Sequence, residues 1–387
     1  MSLPKTFKQA VFTETGGRLS IEEASLKDPG KNEVLVKVEA CGVCHSDILV
    51  QHNIMGGGFP FVPGHEIIGR VAAVGEDVTT WKVGERIGGG WHGGHDGTCA
   101  ACKKGLFHMC DNQLINGVTK AGGYAEYVLI RSEAGVRVPE DVDAAKFAPL
   151  LCAGVTVFNS MRRMNVAPGE TVAIQGLGGL GHLAVQYAAK FGWRVVAISR
   201  GSDKEKLARQ LGAREYIDTA QEEAGPALQK LGGAALIVTT NPNAQQIPGL
   251  LKGLAPLGKL LILSLPGEVP FDTTLMIQKG LSVHAWPTGH ALDMEETIQF
   301  SQLQDVDCLI EKFPLDKANE AYDAMLSGKS HPTFLKAVYS FGDQEREPPD
   351  SGLANFGNDF YGNHLWYVIR SVLIFNGKNW TAAYPSS

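Results

Sequence analysis

Little in this chain suits a polyanionic or lipid partner: its 35 lysines and arginines are outnumbered by 41 aspartates and glutamates, for a net charge of −6. No surplus of cations remains to meet a phosphate backbone or an anionic membrane. Long apolar runs are missing too. The amino-terminal MSLPKTFKQAVF has no signal-peptide core. The apolar stretch from Trp366 to Phe375 is broken by Arg370 and is far short of a bilayer span. The expectation is a soluble cytoplasmic protein acting on a small molecule, with neither nucleic acid nor membrane as partner. Cysteine is sparse and odd in number, seven residues, which excludes a fully paired disulfide framework. The clusters Cys41/Cys44 and Cys99/Cys102/Cys110 suit metal ligation in a reducing compartment. Cys308 stands alone and reads as a small buried hydrophobe.

What is present is an ordinary globular composition, 44% hydrophobic and 20% charged over 387 residues, more chain than one core usually organises. The first third is rich in glycine and short alternating segments. EVLVKVEACGVC (Glu33 to Cys44), Ile67 to Gly75 and Gly122 to Ile130 read as strands of a β-rich, barrel-like domain. After about Pro149 the pattern becomes strand, glycine turn, amphipathic helix, strand. The near-continuous apolar runs Ala235 to Thr240 and Gly258 to Ser264 are those of parallel strands covered on both faces. From about Pro287, DMEETIQFSQL and FLKAVYSF suggest a return to the first domain. Gly342 to Ser387 opens with a polar, proline-containing linker and continues without a helix or strand period. The expected division is 1–150, 151–286, 287–341 and an appended, poorly ordered tail, 342–387.

Gly176-Leu177-Gly178-Gly179-Leu180-Gly181 satisfies G-x-G-x-x-G between the strand TVAIQ and the helix HLAVQYAAKFG. In that context the first glycine permits the tight turn, the second admits a pyrophosphate and the third lets helix and strand close. Amides at the helix start then meet phosphate charge. An NAD site usually ends the next strand with an acid that binds the ribose. Here that strand runs into Ser199 and Arg200, with Lys204 close behind, a set suited to a 2′-phosphate. NADP is therefore favoured over NAD; the alternative is that Arg200 stacks on the adenine.

Cys44-His45-Ser46-Asp47, Gly64-His65-Glu66 and Cys152 supply two thiolates and one imidazole. Three protein ligands with a fourth position open are what a catalytic zinc requires. These motifs, the cysteine cluster and the glycine fingerprint stand in the order seen in zinc-containing alcohol dehydrogenases, and from about Lys8 to Phe341 the chain resembles that family. These enzymes belong to the medium-chain dehydrogenase/reductase superfamily. Among them it looks most similar to fungal and bacterial alcohol dehydrogenases, including NADP-linked aldehyde reductases.

The resemblance implies an α/β protein with a GroES-like β-rich catalytic domain, a Rossmann doubly wound parallel-sheet cofactor domain, and a homodimer or homotetramer. It assigns Cys44, His65 and Cys152 to the catalytic zinc, with Glu66 just behind the metal and Asp47 orienting His65. Ser46 would bond the substrate oxygen and begin the proton relay, His45 would reach the pyrophosphate, and Thr156 would pack near the nicotinamide. Cys41 matches no ligand position. Where many relatives continue the relay with a histidine, this chain has Leu49; His52 or the ribose hydroxyl are the alternatives.

By the same resemblance Asp96, Cys99, Cys102 and Cys110 correspond to the four ligands of a structural zinc, with aspartate in place of the first cysteine. The alternative is a lobe that has lost its metal. His92, His95 and His108 lie nearby, and the family gives them no such role. Trp91 falls at an aromatic wall of the substrate pocket; Phe59 and Trp286 are further candidates for the wall or simply core. The reaction implied is hydride transfer between NADP(H) and an alcohol/aldehyde pair, with an apolar or aromatic substrate rather than a polyol. A zinc-free quinone or enoyl reductase would lack Cys44, His65 and Cys152. A non-catalytic cofactor sensor would have no use for Ser46.

Overall fold

The computed structural model describes residues 3–327, 336–341, 372–375 and 380–383. Two compact units are distinguished, 1–342 and 343–387.

In the first unit, the segment EVLVKVEACG becomes the strand Glu33–Gly42, whose burial alternates around exposed Lys37 before turning fully inward at Ala40. It is the hub of an antiparallel sheet. Ile67–Val74 pairs on one side, Lys336–Ser340 joins at Ala40 to Gly42, and Tyr127–Arg131 pairs along its first half. Arg86–Gly89 and Val136–Arg137 extend the sheet beyond Ile67–Val74, and Ile310–Phe313 runs parallel to Lys336–Ser340 at the other edge.

The expected strand from Gly122 to Ile130 is shorter than its sequence suggests, because only Tyr127–Arg131 pairs as a regular strand. Gly122, Gly123 and Tyr124 instead donate their amides to the carbonyls of Val62, Gly64 and Pro63. A Cβ on Gly122 would come within 2.3 Å of the Gly64 carbonyl oxygen. Glycine is needed there for close approach rather than for a turn.

The second sheet is wholly parallel. Its order across space is Glu215–Asp218, Arg194–Ser199, Thr171–Gln175, Ala234–Thr239, Leu254–Ile262, Ser282–Ala285. In chain order this is 3-2-1-4-5-6, the doubly wound arrangement whose ligand crevice lies where the order reverses. Both faces are covered. Val172, Ile174, Val195 and Ala197 enter one core, while Ala173, Val196 and Ile198 enter another on the opposite face. That explains why these strands read as unbroken apolar runs.

The helix Ala291–Leu303 follows, with an amino terminus closed by Asp293 accepting from the His290 amide. No single described helix is long and apolar enough to cross a membrane. In the second unit Val372–Phe375 pairs antiparallel with Trp380–Ala383, strands the aperiodic sequence did not announce. The rest of the appended tail lies outside the described residues.

Candidate active site

The glycine turn follows from its neighbours. Gly176 has φ +92° at the end of Thr171–Gln175, and a Cβ on Gly181 would sit 1.7 Å from the Gly176 carbonyl oxygen. Neither position tolerates a side chain. Gly178 differs: a Cβ there would meet no protein atom within 4 Å. Nothing in the fold demands glycine at 178, so its bareness suits a ligand lying against the turn. The helix Gly181–Lys190 starts immediately behind it.

Ser199 ends the adjacent strand, and Arg200 is exposed with no ion-pair partner among the described residues. Lys204 reaches back to donate to the Leu177 carbonyl at 3.0 Å, across the phosphate turn. In this part of the chain Asp218 escaped the sequence reading. Asp218, at the tip of Glu215–Asp218, accepts from the Gly201 amide at 2.6 Å and the Ala220 amide at 2.8 Å. It braces the loop that carries Arg200.

The second constellation is assembled from four parts of the chain. Cys44 begins the short turn His45–Asp47, and Asp47 folds back to accept from the Cys44 amide at 3.0 Å and the Tyr124 hydroxyl at 2.6 Å. His65 follows Gly64, which has φ +103° and is held by the Gly122–Tyr124 contact described above. Cys152 precedes the helix Ala153–Arg162. One donor atom from each of Cys44, His65, Glu66 and Cys152 falls within 4.8 Å of the others, and all four residues are buried. The two sulfurs are 3.8 Å apart.

His65 Nδ1 lies 3.3 Å from Asp47 Oδ1, which fixes the ring, yet neither its Nδ1 nor its Nε2 makes an aligned hydrogen bond. An orphaned buried imidazole nitrogen facing two thiols is a donor set that fits zinc. The proton affinities run the same way. Burial works against a charged His65, but the Cys44 and Asp47 charges raise it to about 10. Cys44 is held well below the ordinary thiol range, first because Cys152 donates to it and then by the Lys336 charge, whereas Cys152 is driven up. Burial raises the Glu66 carboxyl to about 7, against the pull of Lys336.

Lys336 is a second residue that sequence reasoning missed. Its ammonium pairs with Glu66 Oε1, both groups buried, and lies 3.4 Å from the Val43 carbonyl. Burial opposes that charge, but Glu66 more than restores it and keeps the amine protonated. Glu66 Oε2 has no partner and packs so close to Gly42 that a Cβ there would overlap it.

The lobe residues converge as well. Asp96, Cys99, Cys102 and Cys110 each place one donor atom within 4.8 Å of the others. Amides of Asp96 and Asn112 point at the Cys110 sulfur, and that of Cys102 at Cys99. The amides of Cys99 and then Thr98 hold the Asp96 carboxyl well below its usual range, so it stays ionised.

Of the remaining candidates, Ser46 is half-buried and His45 exposed on the Cys44 turn, and Thr156 lies one helical turn after Cys152. Trp91 stands edge-on to His65 with ring centroids 4.9 Å apart. Phe59 packs against the amino-terminal core, and Trp286 lies under Arg163 and beside His108. His52 is exposed beside Gly16. Cys41 and Cys308 are fully buried.

Comparison with known proteins agrees with this architecture. The family model described as the alcohol dehydrogenase GroES-like domain matches residues 30–140, and that described as zinc-binding dehydrogenase matches 179–302. The chain thus belongs to the zinc-type alcohol dehydrogenases of the medium-chain dehydrogenase/reductase superfamily. It is 64% identical over 325 residues to alcohol dehydrogenase patD of Penicillium expansum, covering 84% of this chain and 96% of that one. To alcohol dehydrogenase notN of an Aspergillus species it is 60% identical over 329 residues, covering 85% and 97%. Among solved structures it is similar to a cinnamyl alcohol dehydrogenase of Sorghum bicolor, with TM-score 0.78, 30% identity and coverage of 87% and 98%. Acetophenone reductase of Geotrichum candidum in complex with NAD is similar at TM-score 0.75 and 27% identity, covering 88% and 99%.

Proposed function

We propose that this alcohol dehydrogenase is zinc-dependent and transfers hydride between NADP(H), favoured over NAD(H), and a primary or secondary alcohol and its aldehyde or ketone. The carrying observation is the buried convergence of Cys44, His65 and Cys152 around an imidazole nitrogen that has no partner. Held by these three residues, zinc supplies the Lewis acidity that favours loss of the alcohol proton near neutral pH, and the dinucleotide supplies the hydride chemistry.

The chain's own groups do the rest. Asp47 orients His65. Ser46 hydrogen-bonds the oxygen of the bound alcohol and begins the proton relay, which Leu49 has no group to continue. His45 meets the pyrophosphate against Gly178, and Thr156 packs by the nicotinamide. Trp91 gives the pocket an apolar wall, which favours aliphatic or aromatic substrates over polyols.

The preference for NADP rests on Ser199, Arg200 and Lys204, with Asp218 already engaged by backbone amides. The acetophenone reductase bound to NAD marks the competing case. A turnover screen with NADPH and NADH against aliphatic and aromatic aldehydes decides it, and a clear NADH preference would overturn the assignment. In Arg200→Ser, loss of a charge-assisted hydrogen bond of about 1.5–3 kcal/mol should lower kcat/KM with NADPH by about 10- to 100-fold, with little change for NADH.

The lobe is assigned a second zinc through Asp96, Cys99, Cys102 and Cys110. Metal analysis should find two zinc ions per chain; one per chain refutes the lobe site. Asp96→Ala should lower the melting temperature more than it lowers hydride transfer.

A further inference from the structure

Beyond these two donor sets, a third one bridges the lobe and the helix Ala291–Leu303. His108 lies in the turn Phe107–Met109, and His290 and Asp293 sit at the helix start. One donor atom from each falls within 4.8 Å of the others. His108 is 3% exposed, and neither of its ring nitrogens has a hydrogen-bond partner. His290 Nε2 is 3.5 Å from Asp293 Oδ2, and the His108 and His290 rings are 5.7 Å apart. A buried imidazole with nothing to bond is unusual enough to call for a missing ligand.

We propose that His108, His290 and Asp293 form an accessory site for a divalent cation of the zinc class, one that clamps the lobe onto the start of Ala291–Leu303. Two imidazoles and one carboxylate suit borderline cations such as Zn²⁺, Co²⁺ or Ni²⁺, whereas Mg²⁺ and Ca²⁺ would want more oxygen. The surroundings set its strength. Asp293 Oδ1 is already paired with Arg162 at 2.8 Å, and Arg163 is 3.7 Å away. Those guanidiniums and the positive end of the helix oppose a cation. The site therefore binds more weakly than the thiolate clusters and loads reversibly. Oδ2 faces His290 and carries only the His290 amide, at 3.1 Å, so it keeps a lone pair for the metal.

Its occupancy would pin Trp286, whose ring centroid is 6.1 Å from that of His108. The stacked pair His92 and His95 lies behind, with His95 against Phe107 at 4.2 Å.

The test is equilibrium dialysis of the tag-free full-length protein against excess Co²⁺, comparing wild type with His290→Asn and His108→Phe. Asparagine preserves a side-chain cap at the helix start, and phenylalanine fills the His108 volume without a donor. Each variant should bind one equivalent fewer than wild type. The missing equivalent should carry weak ligand-field absorption and no thiolate-to-cobalt charge-transfer band. Equal stoichiometry in all three proteins overturns the proposal, as does a lost equivalent that carries the thiolate band. Because the result is a difference, it holds whether or not the lobe retains its own metal.

Discussion

Cys44→Ala should lower kcat/KM by about a thousandfold, the kinetic equivalent of the several kcal/mol that a Lewis-acid ion contributes to a developing oxyanion. Its sulfur is one of two that lie 3.8 Å apart in the buried cluster, and it is the one held low enough to be anionic. Without it, His65 and Cys152 are left as two ligands on separate parts of the chain. The loss should appear in kcat as well as in KM and be matched by the loss of one zinc per chain. Cys41→Ala serves as the control, since that buried thiol lies three positions earlier and outside the donor set. Unchanged turnover and metal content in Cys44→Ala would refute the proposed catalytic site.

Lys336→Met is expected to cost about 3 kcal/mol of folding stability, the lower end for removing one partner of a buried ion pair. The reason is what remains. Glu66 is wholly buried, its Oε2 is already unpartnered, and Lys336 is the cation that matches its Oε1. Methionine fills similar volume but leaves the carboxylate uncompensated. Lys336→Arg should retain most of the stability, and the double variant Glu66→Gln/Lys336→Met should recover part of the loss, a positive coupling in the double-mutant cycle. Denaturant midpoints of these three and of the single variant Glu66→Gln measure it. A Lys336→Met protein within about 0.5 kcal/mol of wild type, the range of an ordinary surface substitution, would mean that the pair has no structural weight.

The glycine fingerprint was legible in the sequence because its determinants are local: a strand, a sharp turn and a helix within about twenty residues, each with its own period. The Cys44 turn was legible for the same reason, since Asp47 closes it three residues later. What stayed hidden depended on distant partners. Lys336 meets Glu66 across 270 positions, and Tyr124 meets Asp47 across 77. A lysine inside the alternating segment FLKAVYSF gives no sign of facing a carboxylate. Asp218 was hidden because the acid bracing the loop after Ser199 belongs to the neighbouring strand, with Ser199 and Asp218 side by side in the sheet. Gly122 to Tyr124 looked like strand because their side-chain pattern is that of one. Only the approach of Gly64 diverts their amides from the ladder.

The pairing of Lys336–Ser340 with Glu33–Gly42 also bears on timing during synthesis. Cys44, His65 and Glu66 leave the ribosome long before Cys152, and the cation that neutralises Glu66 follows it by 270 positions. Until then a nascent chain carries a carboxylate and reactive thiols without their partner strand. Joining the two ends closes a loop of nearly the whole unit, a slow event because contacts so far apart in sequence form late. A chain truncated just upstream of Lys336 would keep every proposed zinc ligand yet leave Ala40 to Gly42 of its central strand without their partner.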